Sequence, residues 1–123
     1  MYSKTTHDVT VTVEPNYLDN ESAPDKNIFV WSYTVWIENN SDRTLQLRTR
    51  HWKITDAYGR TQEVNGPGVI GEQPVLQPGQ TFEYTSGTPL STPNGIMVGS
   101  YDMEDASGAL HIIAIPAFSL DVP

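Results

Sequence analysis

Phe29-Val30-Trp31-Ser32-Tyr33-Thr34-Val35-Trp36-Ile37-Glu38 alternates large apolar residues with a mixed set. Side chains of an extended strand point alternately to opposite faces, so Phe29, Trp31, Tyr33, Val35 and Ile37 share one face. The segment is therefore expected to be a long strand at the centre of a β core. Upstream, Val9, Val11 and Val13 alternate with Thr10, Thr12 and Glu14, a half-buried strand expected to stop at Pro15. Downstream, Asn39-Asn40-Ser41-Asp42 and Asp56-Ala57-Tyr58-Gly59 carry turn residues. Gln77-Pro78-Gly79-Gln80 has proline and glycine at the centre of a type II turn. Phe82 and Tyr84 are expected to face inward, as are Met97, Tyr101 and Met103, and Asp105-Ala106-Ser107-Gly108 reads as a hairpin loop. The last strand, 110–120, contains Pro116 and should lie at an edge or be bulged there. Helical periodicity is nowhere visible. Seven to nine antiparallel strands in a two-sheet all-β sandwich follow, with no substantial helix.

One strand changes phase. Leu45 and Leu47 have odd parity, whereas the next large apolar residues, Trp52 and Ile54, are even. Strict alternation then demands a bulge, a bend or a change of sheet within Arg48-Thr49-Arg50-His51. A strand crossing between sheets at the sandwich edge is the favoured reading over a functional bulge.

A chain of 123 residues supports one two-layer core, and the sequence is read as a single domain over 1–123. With no cysteine, neither a disulfide framework nor a thiolate metal site can form. No secretory signal is visible and no apolar run reaches the ~18 residues of a membrane helix, so a cytoplasmic protein without membrane insertion is expected. The net charge of −8 argues against nucleic-acid binding, which depends on neutralising phosphates. Five of the seven basic residues (Arg43, Arg48, Arg50, Lys53 and Arg60) nevertheless fall in one segment.

Within Val64-Asn65-Gly66-Pro67-Gly68-Val69-Ile70-Gly71 the spacing Gly-x-Gly-x-x-Gly spells a dinucleotide-binding loop. Such a loop needs a helix directly after it to bind the pyrophosphate, yet Glu72-Gln73-Pro74-Val75-Leu76-Gln77-Pro78-Gly79 would break any helix. NAD binding is excluded. The whole segment, with Arg50-His51-Trp52-Lys53-Ile54-Thr55-Asp56 before it and Phe82-Glu83-Tyr84-Thr85-Ser86-Gly87 after it, resembles the bacterial ApaG family. Gly95-Ile96-Met97-Val98-Gly99-Ser100-Tyr101 and Ile115-Pro116-Ala117-Phe118-Ser119-Leu120 extend the likeness through the chain. The resemblance implies an immunoglobulin-like, fibronectin type III-like sandwich and a link to cobalt and magnesium homeostasis, without an established reaction. It also implies a gene neighbourhood associated with dinucleoside polyphosphate breakdown, and an interaction role, since related domains are joined to other modules in eukaryotic proteins.

The anion-binding candidates are Arg48, Arg50 and His51 together with Gly66, Gly68 and Gly71. Guanidinium forks suit phosphate or carboxylate, and glycines let backbone N–H groups converge on an anion. The bland readings are that Arg48 and Arg50, of one parity, are two exposed strand positions, and that the glycines serve a crossover in which Val69 and Ile70 are buried. No metal site is expected: His7, His51 and His111 lack ligand spacing, and Asp102 and Glu104 read as solvent-facing. No cofactor or catalytic residue is assigned, because no nucleophile–base pair is legible. The leading functional expectation is a non-catalytic module that binds a protein partner. The alternative is a protein that binds a small phosphate ligand such as pyrophosphate or a dinucleoside polyphosphate, with hydrolysis included. An edge-strand homodimer is left open.

Overall fold

The computed structural model describes residues 1–123. Nine strands follow one another: β1 (Tyr2–Thr6), β2 (Val9–Tyr17), β3 (Phe29–Asn39), β4 (Leu45–Asp56), β5 (Thr61–Pro67), β6 (Val75–Leu76), β7 (Thr81–Leu90), β8 (Asn94–Asp105) and β9 (Leu110–Asp121). One sheet has the order β1-β2-β3-β7 and the other β5-β4-β8-β9, with β6 also paired to β4. Every pairing is antiparallel. The protein is an all-β two-sheet sandwich. The only helical pieces are two 3₁₀ turns, Asp19–Glu21 and Pro24–Lys26, and no helix is long and apolar enough to cross a membrane.

The facing of β3 is as its alternation requires. Phe29, Trp31, Tyr33, Val35 and Ile37 are all buried, within one core of 22 apolar residues drawn from both sheets. Asn39 continues the inward parity and is 0% exposed. Its amide nitrogen donates to the carbonyls of Arg43 (2.7 Å) and Leu76 (2.9 Å), and its oxygen accepts from the Ser41 backbone N–H and hydroxyl. A buried amide is costly unless bonded, and here the satisfied amide ties the first sheet to β6 in the second.

Three expectations change. β2 runs through Pro15 to Tyr17, because β1 ends opposite Val13 and a proline is tolerated where the strand has become an edge. β4 does not cross between sheets. Leu47 pairs with Met103 and Thr49 with Asp102, so Arg48 is one extra residue, a bulge within a strand that stays in its sheet. Ile70 is 57% exposed, whereas Val69 is buried, because Ile70 occupies the tip of a tight turn at φ 44°. Pro116 behaves as expected: β9 is an edge strand, and Pro116 and Ala117 bulge opposite Val98.

The two long sides of the sandwich differ. On one, β1 and β2 close against β9, with the Tyr2 and Ser119 hydroxyls 3.0 Å apart. On the other, the edge strands β7 and β5 stay apart, and a cleft of about 300 Å³ opens between them.

Trp31 is 1% exposed, packs edge-on against Tyr17 at 5.4 Å and donates its indole N–H to the Asp121 carbonyl. Trp31→Ala should lower the unfolding free energy by about 3–5 kcal/mol in urea titration, from lost burial and the remaining cavity. A loss below ~1 kcal/mol would mean that β3 faces the other way in solution.

Candidate functional site

The bulge at Arg48 builds the site. Ahead of it Leu45 and Leu47 point into the core; beyond it Arg50, Trp52 and Ile54 do. The neighbour of β4 also changes here, from β6 at Leu45 and Gln46 to β5 from Thr49 onward. The glycine-rich segment is the connection between those two strands. Its Gly68 N–H donates to the bulged Arg48 carbonyl at 2.7 Å, satisfying an acceptor that the interrupted ladder would leave unpaired.

Arg50 lies under this connection. Its Nη1 donates to the carbonyls of Pro67 (3.0 Å) and Gly68 (2.9 Å). The guanidinium covers Gly66 so closely that a Cβ there would lie 3.1 Å from Nη1 and Nη2. Gly68 has φ 60°, and a Cβ on it would meet the Glu72 carbonyl oxygen at 2.1 Å, so no other residue fits. Val69 and Glu72 exchange backbone hydrogen bonds across a two-residue turn. The N–H groups of Gly68, Val69 and Glu72 are thus used within the protein, and the loop presents carbonyls to Arg50. Of the six candidate residues, Arg50, Gly66 and Gly68 come together. Arg48 and His51 point out of the opposite face of the sheet, because the bulge separates two arginines of equal parity. Gly71 sits at the turn, with nothing near its would-be Cβ.

Across the cleft from Arg50, β7 contributes Ser86 and Thr88, and β3 contributes Tyr33. Gln62 and Val64 of β5 and Trp52 of β4 also line the cleft. Burial pushes the Tyr33 phenol up, partly offset by the Ser86 hydroxyl and the Arg50 charge. Beneath it the hydroxyls of Tyr84 and Tyr101 are hydrogen-bonded to each other, and burial raises both. These phenols are neutral donors at physiological pH, not bases. Ser86 and Thr88 are not among the six sequence candidates, although β7 carries a signal for them. The core-facing parity of β7 reads Phe82, Tyr84, Ser86, Thr88, and small hydroxyl residues in place of apolar ones at inward positions mark a wetted cavity.

The outward face of the same sheet carries a second group. His51 Nε2 lies 2.7 Å from Asp102 Oδ2, its Nδ1 lies 2.8 Å from Asn65 Oδ1, and Thr49 donates to Asp102. Hydrogen bonds to Asp102 first and Asn65 second raise the His51 pKa; hydrogen bonds from Thr49 first and His51 second lower that of Asp102. Glu104 pairs with Arg48 at 3.0 Å, and Asp105, lowered chiefly by His111, also anchors its hairpin loop through Ser107. Asp102 and Glu104 do lie on the outer face, but each already holds a partner. No three His, Asp or Glu side chains converge as metal ligands would.

Beside these pairs the same face leaves two aliphatic pairs exposed, Ile96 (53%) and Val98 on β8 and, beyond Ser100 and Ala114, Leu110 and Ile112 (65%) on β9. The outer face of the first sheet is different, a run of hydroxyl pairs such as Thr5–Thr10 and Thr34–Thr85. Trp36 lies on that face, half-buried and bonded to Glu83, whereas Trp52 is buried.

Residues 19–105 match the family model described as the ApaG domain. Over all 123 residues the chain is 66% identical to Protein ApaG of Paramagnetospirillum magneticum and 63% identical to that of Rhodospirillum centenum, covering 95% of each. Among solved structures, a Bordetella pertussis protein described as ApaA superposes with a TM-score of 0.91 at 46% identity, over 94% of both chains.

The His51–Asp102 pair predicts a pH response. The raised His51 pKa contributes stability that is full below about pH 6.5 and lost as pH rises through the folded-state value. The lowered Asp102 pKa contributes stability that is full above about pH 4 and lost as pH falls through its folded-state value. The pair should therefore stabilise most between about pH 4 and 6.5, and only slightly, because the His51 side chain is 42% exposed. NMR titration should place His51 above 6.5, and Asp102→Asn should bring it down. An unchanged His51 value in that variant would dissolve the pair.

Proposed function

The chain belongs to the ApaG family, and we propose that it is a non-catalytic binding module acting through a protein partner in cytoplasmic cobalt and magnesium homeostasis. The observation that supports this reading is the contrast between the two outer faces. A sheet exposed to water on one side normally carries polar residues there, as the hydroxyl pairs of the first sheet do. The second sheet instead leaves Ile96, Val98, Leu110 and Ile112 in solvent. Lys53 flanks Val98, and the His51–Asp102 and Arg48–Glu104 pairs flank Ile112 and Leu110. Exposed aliphatic patches set among charged pairs have the composition of a recognition surface. The cleft, for its part, lacks the pairing that nucleophilic catalysis needs: Ser86 and Thr88 have no histidine or carboxylate among the residues lining it.

The cation link in this reading is indirect, since Asp102, Glu104 and Asp105 are committed to His51, Arg48 and His111. Affinity capture from a cytoplasmic extract tests the partner. Ile112→Glu should abolish a reproducible capture while leaving the melting temperature unchanged, and Thr85→Glu on the hydroxyl-rich face should leave the capture intact. Capture indifferent to Ile112→Glu, or none at all, would reject this surface.

Titration with magnesium or cobalt at 0.15 M salt is expected to reveal no saturable site tighter than about 1 mM, only screened association with an acidic surface. A stoichiometric micromolar site abolished by Asp102→Asn would make the protein itself the cation binder.

A further inference from the structure

Arg50 is the one charged side chain lining the cleft, and it pairs with no carboxylate. Only its Nη1 is engaged by the protein; Nε and Nη2, the other edge of the fork, donate to no protein group. A half-buried guanidinium without a counter-ion favours an anion that can accept from that free edge. Facing it are further groups of matching polarity. Tyr33 keeps its phenolic proton, Ser86 and Thr88 present hydroxyls, and Thr88 is 6% exposed with its hydroxyl bonded to no other protein group. Gln62 adds one amide, and the rest of the wall is mostly apolar, from Trp52, Ile54, Val64, Pro89 and Met97.

We propose that the cleft between β5 and β7 binds a monocarboxylate carried on an apolar body, with its oxygens held by Arg50 and the Thr88 and Ser86 hydroxyls. The charge count selects this class over phosphate. A phosphate ester or pyrophosphate brings two or more negative charges, and the site offers one cation. No second lysine or arginine lines the cleft, and the glycine segment turns carbonyls rather than N–H groups toward Arg50. A protein of net charge −8 also repels multivalent anions more strongly than monovalent ones. The volume of about 300 Å³ lies at the small end for ligand pockets and suits one ring or one large aliphatic side chain beyond the carboxylate. Two sources share that chemistry: a free organic acid, and a polypeptide C-terminus ending in an apolar residue. The flanking strands β5 and β7 are sheet edges whose free backbone groups could extend contact with the second.

NMR titration decides, reading the Arg50 Nε–H resonance and the backbone amides of Ser86 to Thr88. The probes are 3-phenylpropionate, its amide, pyrophosphate, and acetyl-Ala-Ala-Phe with a free or an amidated end. Saturable shifts are expected from the acid with a Kd near 1 mM, at least about tenfold weaker from the amide and from pyrophosphate. A free-ended peptide at least about tenfold tighter than the small acid would assign the polypeptide source, and equal or weaker binding would assign the free acid; both support the site. Arg50→Lys, which keeps the charge and loses the fork, should weaken the acid about tenfold, and Thr88→Val about threefold. Arg50→Met should remove binding, and should it not fold, the Arg50→Lys and Thr88→Val pair carries the test. No saturable shift up to about 20 mM, equal binding of acid and amide, tighter binding of pyrophosphate, or full affinity in both Arg50→Lys and Thr88→Val would overturn the proposal.

Discussion

Arg48, the extra residue in β4, is the constraint on which the second sheet depends. Because side chains alternate strictly along a regular strand, one inserted residue exchanges inside and outside for everything that follows. Removing it would turn Trp52 and Ile54 to solvent and send His51 and Lys53 into the core. Trp52 is edge-on to Tyr33 at 5.4 Å and to Phe118 at 6.0 Å, so the contact between the two sheets would lose its central ring. The same insertion brings Arg50 inward. It also creates the unpaired Arg48 carbonyl that Gly68 satisfies, and it coincides with the change of neighbouring strand that the glycine segment bridges. The core, the cleft and the glycine pattern thus share one cause.

This explains why a sequence that spells a dinucleotide loop has no use for one. Gly68 passes over the Glu72 carbonyl, Gly66 lies beneath a guanidinium, and Gly71, with open space around it, turns the chain at φ 79°. Steric exclusion at two positions and a positive φ at the third give the spacing of the nucleotide motif without its chemistry.

Much of the sandwich was legible from sequence because it is written locally. Five aromatic and branched residues alternating through β3 leave little freedom of facing, and Gly79 and Gly108 adopt the positive φ their turns demanded. What escaped was either short of apolar signal or non-local. β1 has no apolar alternation, and the turn joining it to β2 uses His7 and Asp8 at positive φ where glycine or asparagine is customary. The phase change in β4 was visible, but a bulge and a sheet crossing leave the same mark in one strand; only the pairing with β8 distinguishes them. For the site, Arg50 is legible as a residue type, and only proximity in sequence joins Arg48 and His51 to it. Their separation onto two faces required the bulge to be located. Ser86 and Thr88 come from a strand more than thirty residues away, which no local pattern connects to Arg50.

The closed side of the sandwich carries its own consequence. The first strand lies against the last, joined through Tyr2 and Ser119 and through the Ala114 N–H and the Thr6 hydroxyl. Both chain ends therefore leave the domain from the edge opposite the cleft. A tag, a tether or a neighbouring domain fused at either end would hang from the same side and leave the mouth between β5 and β7 unobstructed. The two ends lie together in the manner that permits circular permutation, so the domain could be inserted into a loop of another protein as a plug-in unit without being turned inside out.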